Sequence, residues 1–120
     1  MVKKSGSGIG RLFRAFGWSM SGFKAAFLQE AAFRQELLLC IILTPLAFYF
    51  GKTGLEKALL LGSLMLVLIV ELLNSAVEAV VDRISKDQHV LAGQAKDMGS
   101  AAVFLSLLNV AIVWVLIILI

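Results

Sequence analysis

Residues 98–120 contain no charged side chain, and most of them are Leu, Ile, Val or Ala. A stretch of this kind is typical of a membrane-crossing helix, because about 20 apolar residues span the hydrocarbon core of a bilayer. Two further apolar segments precede it, and 60% of the 120 residues are hydrophobic, which is too apolar for a small soluble domain. The sequence therefore predicts a membrane protein of one domain with about three spans.

The apolar periodicity predicts an all-α membrane protein. Residues 9–28 carry apolar side chains at helical spacing with Arg11 and Arg14 on the opposite face, as in an amphipathic helix that lies in the membrane interface. We predict a flexible lead-in at residues 1–8, and we interpret residues 84–97 as a polar connection. Transmembrane helices are predicted over the approximate ranges 31–50, 55–83 and 98–120. Residues 1–120 then form a single domain.

The positions of the basic residues predict how the chain is oriented. Six Lys and Arg residues lie at or before Arg34, three lie between Arg83 and Lys96, and only Lys52 and Lys57 lie between the first two spans. Because Lys and Arg concentrate on the cytoplasmic side, the N-terminus and the Arg83 end of the second span should both be cytoplasmic. Basic residues at the ends of apolar segments suit a membrane surface better than nucleic acid.

One stripe of polar residues interrupts the second span, over the sequence VELLNSAVEAVVDR (residues 70–83). Glu71, Asn74, Ser75, Glu78 and Asp82 are spaced i, i+3, i+4, i+7 and i+11, so they share one helix face. Ionisable side chains inside a membrane helix normally mark a site that handles ions, protons or a charged ligand. The stripe therefore predicts a functional site that runs from the bilayer toward the cytoplasm.

The cytoplasmic ends of the predicted spans bring further charged residues to this site. Carboxylates at a membrane–water boundary suit Mg²⁺, which proteins usually hold with one or two carboxylates plus phosphate oxygens. A lysine such as Lys96 suits a phosphate, and a deeper carboxylate such as Glu71 suits a general base for a lipid hydroxyl. Capping of helix ends would explain Glu36, Asp82 and Asp97 individually, but it does not explain a carboxylate as deep as Glu71.

Three strings resemble the bacterial integral-membrane diacylglycerol kinase family: EAAFRQE (30–36), VELLNSAVEAVVDR (70–83) and AKDMGSAAV (95–103). They occur in this order on the three predicted spans, and the similarity covers nearly the whole chain. The resemblance implies a homotrimer with active sites shared between subunits, in the bacterial inner (plasma) membrane. It also implies phosphorylation of diacylglycerol to phosphatidic acid with ATP as co-substrate and Mg²⁺ as cofactor.

The resemblance also implies roles for individual residues. Glu71 is the expected general base with Asn74 in support, and Glu30 and Glu78 are the expected metal ligands. The expected nucleotide-binding residues are Arg11, Trp18, Glu30, Glu78, Asp87, Gln88, His89, Lys96 and Asp97. The expected lipid-substrate residues are Arg11, Ala32, Phe33, Arg34, Glu36, Glu71, Ser100 and Trp114. Trp18 stands where the family has a tyrosine, and Asp87 and Gln88 match the family in place but not in type.

Two other functions are compatible with the same sequence. Undecaprenol kinase shares the fold and mechanism that the resemblance implies, but it acts on a polyprenol. A small oligomeric transporter could use Glu71 to carry protons or cations. A transporter would be expected to place its key charge near the midplane of the bilayer, whereas the charges here rise to the cytoplasmic surface. The strings EAAFRQE (30–36) and KDMGSAAV (96–103) resemble the diacylglycerol type, so the resemblance implies a diacylglycerol kinase.

Overall fold

The computed structural model describes residues 8–84 and 89–120, which form four helices. They are α1 (Gly8–Gln29), α2 (Ala31–Phe50), α3 (Gly54–Ile84) and α4 (Val90–Leu119). By length and composition α2, α3 and α4 could each cross a membrane, and α1 is the amphipathic helix that precedes them. The all-α membrane fold class is confirmed. Residues 1–7 of the predicted lead-in lie outside the described residues.

The N-terminal part of α4 differs from the prediction. Residues 90–97 were expected to belong to a polar connection, but they form the first two turns of α4. The His89 side chain supplies the reason, because its Nδ1 accepts a hydrogen bond of 3.1 Å from the backbone N–H of Leu91. Such N-capping satisfies a backbone donor that would otherwise lack a partner. Lys96 and Asp97 are therefore placed by a helix.

α3 is the central helix of the bundle, since it packs against both α2 and α4. Its polar contacts fix an antiparallel register on each side. Toward α2, the Cys40 thiol lies 3.6 Å from the Leu64 carbonyl oxygen. Toward α4, Trp114 Nε1 donates a hydrogen bond of 3.1 Å to Ser63 Oγ. This register brings the N-terminal ends of α2 and α4 to the end of α3 that carries the polar stripe.

The buried core is small for a chain of this length. Its apolar members are Ala26, Phe33, Cys40, Ala47, Leu60, Leu64 and Val67. Most of the large apolar side chains on the outer faces of the spans remain exposed, among them Leu38, Ile41 and Phe104. Exposing such an apolar surface to water would cost free energy. The outer faces of the bundle therefore suit contact with lipid or with other protein chains.

A short turn joins α2 to α3 and ends in a helix cap. Gly51 is buried at the end of α2, where an added Cβ would lie 2.6 Å from Lys57 Cγ and 2.9 Å from the Ala47 carbonyl oxygen. Thr53 Oγ1 accepts a hydrogen bond from the Glu56 backbone N–H at 3.1 Å. Glu56 Oε1 in turn accepts one from the Lys52 N–H at 2.8 Å. This arrangement is a variant of the capping box.

Replacing Thr53 with alanine should lower the free energy of unfolding by about 1 kcal/mol, because the Glu56 N–H loses its acceptor. Unfolding of the purified protein by SDS in mixed micelles measures the change. Thr53→Ser keeps the hydroxyl and should behave like the unaltered chain. An alanine variant as stable as the serine variant would contradict the capping role.

Candidate active site

Glu71 is the most deeply buried ionisable residue of the polar stripe. Its side chain lies on the middle helix α3 and is only 2% exposed. The Glu36 carboxyl of α2 lies against it, and the two share a hydrogen bond. Glu36 Oε2 is also buried without a partner among the described residues.

Asn74 lies one turn beyond Glu71, on the side of α3 that faces Gly99 of α4. Its Nδ2 donates a hydrogen bond of 3.4 Å to Glu78 Oε2, the next carboxylate of the stripe. Its Oδ1 is buried without a partner in the described part of the chain. That oxygen lies where a Cβ on Gly99 would stand. The missing side chain of Gly99 therefore lets Asn74 fit between the two helices.

Glu30 lies at the break between α1 and α2, with φ −119° and ψ 108°. Its side chain makes no capping bond to α2. Instead, Oε1 accepts a hydrogen bond of 3.4 Å from Ser75 Oγ on α3. The break in the helix thus directs a carboxylate toward the polar stripe.

A groove of about 560 Å³ separates α1 from the C-terminal half of α3. Three carboxylates line it, those of Glu30, Glu78 and Asp82. Small residues such as Gly22 and Ala79 form much of its wall, which leaves room for a ligand. Within residues 8–84 and 89–120, no three His, Cys, Asp or Glu side chains are grouped closely enough to hold a metal ion alone. A metal here would need further oxygen ligands, such as those of phosphates.

The start of α4 contributes the basic side of this region. Lys96 Nζ lies 2.6 Å from Asp82 Oδ1, and both side chains are largely exposed. Exposed ion pairs contribute little to stability, so this lysine could exchange its partner for a phosphate at small cost. His89 lies beside an apolar pocket of about 430 Å³ whose other walls include Ile84 and Ala95. Asp97 is exposed on the same helix.

The remaining site residues predicted from the sequence lie on α1, α2 and α4 or outside the described residues. Arg34 Nη1 donates a hydrogen bond of 2.6 Å to the Phe27 carbonyl oxygen at the end of α1, and Phe33 belongs to the core. Trp114 contacts Ser63, which is about 12 Å along α3 from Glu71. Trp18 is half-buried on α1, and the exposed residues are Arg11, Ala32 and Ser100. Asp87 and Gln88 lie outside the described residues.

The sequence did not assign the contacts that hold the two outer carboxylates. Ser75 was recognised as part of the stripe, but its bond to Glu30 joins residues 45 positions apart. The bond from Asn74 to Glu78 follows the i, i+4 spacing, and that spacing was a signal for it. The ion pair between Lys96 and Asp82 depends on the first turns of α4, which the sequence did not predict.

Comparison with known proteins places the chain among membrane kinases. Residues 17–118 match the family model described as prokaryotic diacylglycerol kinase. The diacylglycerol kinase of Haemophilus influenzae is 50% identical over 108 residues, which cover 90% of this chain and 92% of that protein. That of Pseudomonas aeruginosa is 49% identical over 116 residues, covering 97% and 94%. That of Escherichia coli K12 is 46% identical over 108 residues, covering 90% and 88%.

Proposed function

Because the chain belongs to the prokaryotic diacylglycerol kinase family, we propose that it phosphorylates diacylglycerol to phosphatidic acid with ATP and Mg²⁺. The observation that carries this proposal is the position of Glu71. A buried carboxylate lies about 10 Å along α3 from Glu78 in the groove. One end of the polar stripe therefore suits a lipid hydroxyl, and the other suits a charged nucleotide.

Glu71 is the proposed general base. It takes the proton of the free hydroxyl of diacylglycerol as the hydroxyl oxygen attacks the γ-phosphorus of ATP. The bond from that phosphorus to the bridging oxygen breaks, and ADP leaves with the electron pair. The burial of Glu71 supports this role, because a side chain that is only 2% exposed is shielded from competing water. A positioned base of this kind contributes about 10² to 10⁴ in rate.

Glu30 and Glu78 are the proposed ligands of Mg²⁺. Their carboxylates line one groove, and hard oxygen donors are what Mg²⁺ prefers. Mg²⁺ commonly takes its remaining ligands from phosphates and water. The ion would bridge and partly neutralise the ATP phosphates when bound. Ser75 and Asn74 each bond one of the two carboxylates and so limit how they rotate.

The nucleotide is proposed to lie along the start of α4. The apolar pocket beside His89 suits the flat face of a base, and Lys96 suits a phosphate. Asp82 now holds Lys96 and would release it to the nucleotide. Arg11, Trp18 and Asp97 are proposed to complete the nucleotide site, together with Asp87 and Gln88.

The lipid is proposed to reach Glu71 from within the bilayer. Arg11, Ala32, Phe33, Arg34, Glu36, Ser100 and Trp114 are the residues that we assign to its binding. The exposed apolar faces of the spans suit contact with lipid or with other copies of the chain. We propose a homotrimer in the bacterial inner membrane, with the N-terminus and the polar stripe on the cytoplasmic side, as the Lys and Arg distribution indicates.

Transfer of labelled phosphate from MgATP to lipid tests the function. The purified protein is presented with diacylglycerol or with undecaprenol in mixed micelles, and the labelled product is identified by chromatography. Label in phosphatidic acid is expected. Label chiefly in undecaprenyl phosphate would keep the mechanism and change the substrate. Label in neither product, from folded protein, would rule out the kinase function and direct attention to proton or cation flux.

A further inference from the structure

The hydroxyl of Ser75 behaves unlike those of the other helical serines for which a bond is defined. Ser19 and Ser21 on α1 donate to the carbonyl oxygens of Ala15 and Gly17, four residues earlier. Ser63 and Ser106 donate to carbonyl oxygens three residues earlier, at 2.7 Å each. Bonding back to the same helix is the usual behaviour of a helical serine. Ser75 instead donates to Glu30, across to the junction of α1 and α2.

Glu30 has few other constraints on its side chain. It is the residue between two helices, its φ and ψ are extended, and it does not cap α2. Its backbone remains anchored, since its N–H bonds the Ala26 carbonyl oxygen at 2.9 Å. The backbone therefore fixes where the side chain starts, while the contact with Ser75 selects the direction in which the carboxylate points.

We propose that Ser75 is a positioning residue that orients the Glu30 carboxylate toward Glu78 across the groove. The inference rests on the proposed role of Glu30 as a metal ligand. Ser75 and Glu78 lie on the same face of α3 and line the same groove as Glu30. With one oxygen of Glu30 held by the serine, the other is free to face a cation that Glu78 also contacts. Ser75 acts through Glu30 and does not itself touch the reacting atoms.

The bond from Ser75 to Glu30 is 3.4 Å long, which is longer than the usual O–H···O bond. Asn74, the preceding residue of α3, donates to the Glu78 carboxylate at 3.4 Å. Hydrogen bonds in active sites are often long and tighten when substrate binds. A donor from a rigid helix restricts the carboxylate without competing for the metal, because a serine hydroxyl is a weak ligand beside an ionised carboxylate.

The test measures binding of Mn²⁺, in place of Mg²⁺, to the purified protein in lipid nanodiscs with a non-hydrolysable ATP analogue. The signal of free Mn²⁺ in electron paramagnetic resonance reports the affinity. Ser75→Ala should weaken Mn²⁺ binding by roughly three- to tenfold, the size expected for one modest hydrogen bond to a carboxylate. In kinase assays the same variant should raise the KM for the metal–nucleotide complex more than it lowers kcat. Ser75→Thr keeps the donor and should restore binding.

A double-mutant cycle with Glu30→Gln separates positioning from a general structural effect. Ser75→Ala should add nothing once Glu30 has been replaced, because the two side chains act as a unit. Ser106→Ala is the matched control, since it removes a buried helical hydroxyl that donates to the Val103 carbonyl oxygen of its own helix, and it should leave Mn²⁺ affinity unchanged.

An unchanged Mn²⁺ affinity in Ser75→Ala would overturn the inference. It would also be overturned if Ser75→Ala lowered the Mn²⁺ affinity equally in the unaltered chain and in the Glu30→Gln variant. In both cases the metal role of Glu30 would stand. If Glu30→Gln itself binds Mn²⁺ normally, the metal assignment fails and the inference with it. Transfer of phosphate to diacylglycerol by the unaltered chain would still decide the kinase function separately.

Discussion

Replacing Glu71 with glutamine should lower kcat for phosphorylation of diacylglycerol by about 10²- to 10⁴-fold, the contribution of a positioned general base. Glutamine has nearly the same shape as glutamate but cannot accept the hydroxyl proton. It can still bond the Glu36 carboxyl through its amide, so the packing between α2 and α3 should survive. The KM for MgATP should change little, because Glu71 lies about 10 Å along α3 from Glu78.

Steady-state kinetics in mixed micelles measure this effect. Glu56→Gln is a suitable control, because Glu56 lies on the same helix at the opposite end and its glutamine can still accept from the Lys52 N–H. The control should keep full activity. A Glu71→Gln variant with more than about a tenth of the normal kcat would refute the assignment of the base, since the loss would fall below the range of such catalysis.

Replacing Gly99 with alanine should lower kcat/KM by about tenfold to a hundredfold while costing only about 1–3 kcal/mol of stability. The added Cβ would overlap Asn74 Oδ1 and lie 3.2 Å from Asn74 Cγ. Asn74 could relieve the overlap by rotating its amide, but its Nδ2 would then leave Glu78. We therefore expect activity to fall together with stability, because the proposed metal ligand loses its support.

Gly93→Ala is the matched control for this prediction. Gly93 lies on the same helix, and a Cβ added there meets no atom within 4 Å. Alanine favours a helix over glycine by up to about 1 kcal/mol, so this variant should be active and at least as stable as the unaltered chain. Thermal unfolding and kinetics of the two variants are compared side by side. Equal activity of the two variants would mean that the approach of α4 to Asn74 does not matter for the site.

The fold could be predicted from the sequence because the interior of a bilayer permits few backbone conformations. A backbone in lipid must satisfy its own hydrogen bonds, so apolar stretches such as residues 98–120 predict helices directly. The start of α4 was missed for a physical reason. Residues 90–97 have no strong apolar periodicity, and the helix there depends on a local cap from His89.

The polar stripe was also visible in the sequence, since five side chains at helical spacing must share a face. Which of them contact one another was not visible. The partner of Ser75 lies on another helix, and the partner of Asn74 depends on the space left by Gly99. Contacts of this kind follow from the register between helices, which no single segment specifies. The spacing of residues within one helix was therefore enough to locate the site. The hydrogen bonds between its side chains could be identified only from the packed structure.

The small core has a consequence for what stability means in this protein. Seven apolar side chains are buried in the described chain, so much of what holds α2, α3 and α4 together depends on the material outside them. Lipid tails do not drive helices together as water does. A change of acyl-chain length or of protein-to-lipid ratio then shifts the unfolding equilibrium without any change of residue. The free energy of unfolding is therefore defined only for a stated composition of protein and lipid, and the same chain has a different value in each membrane.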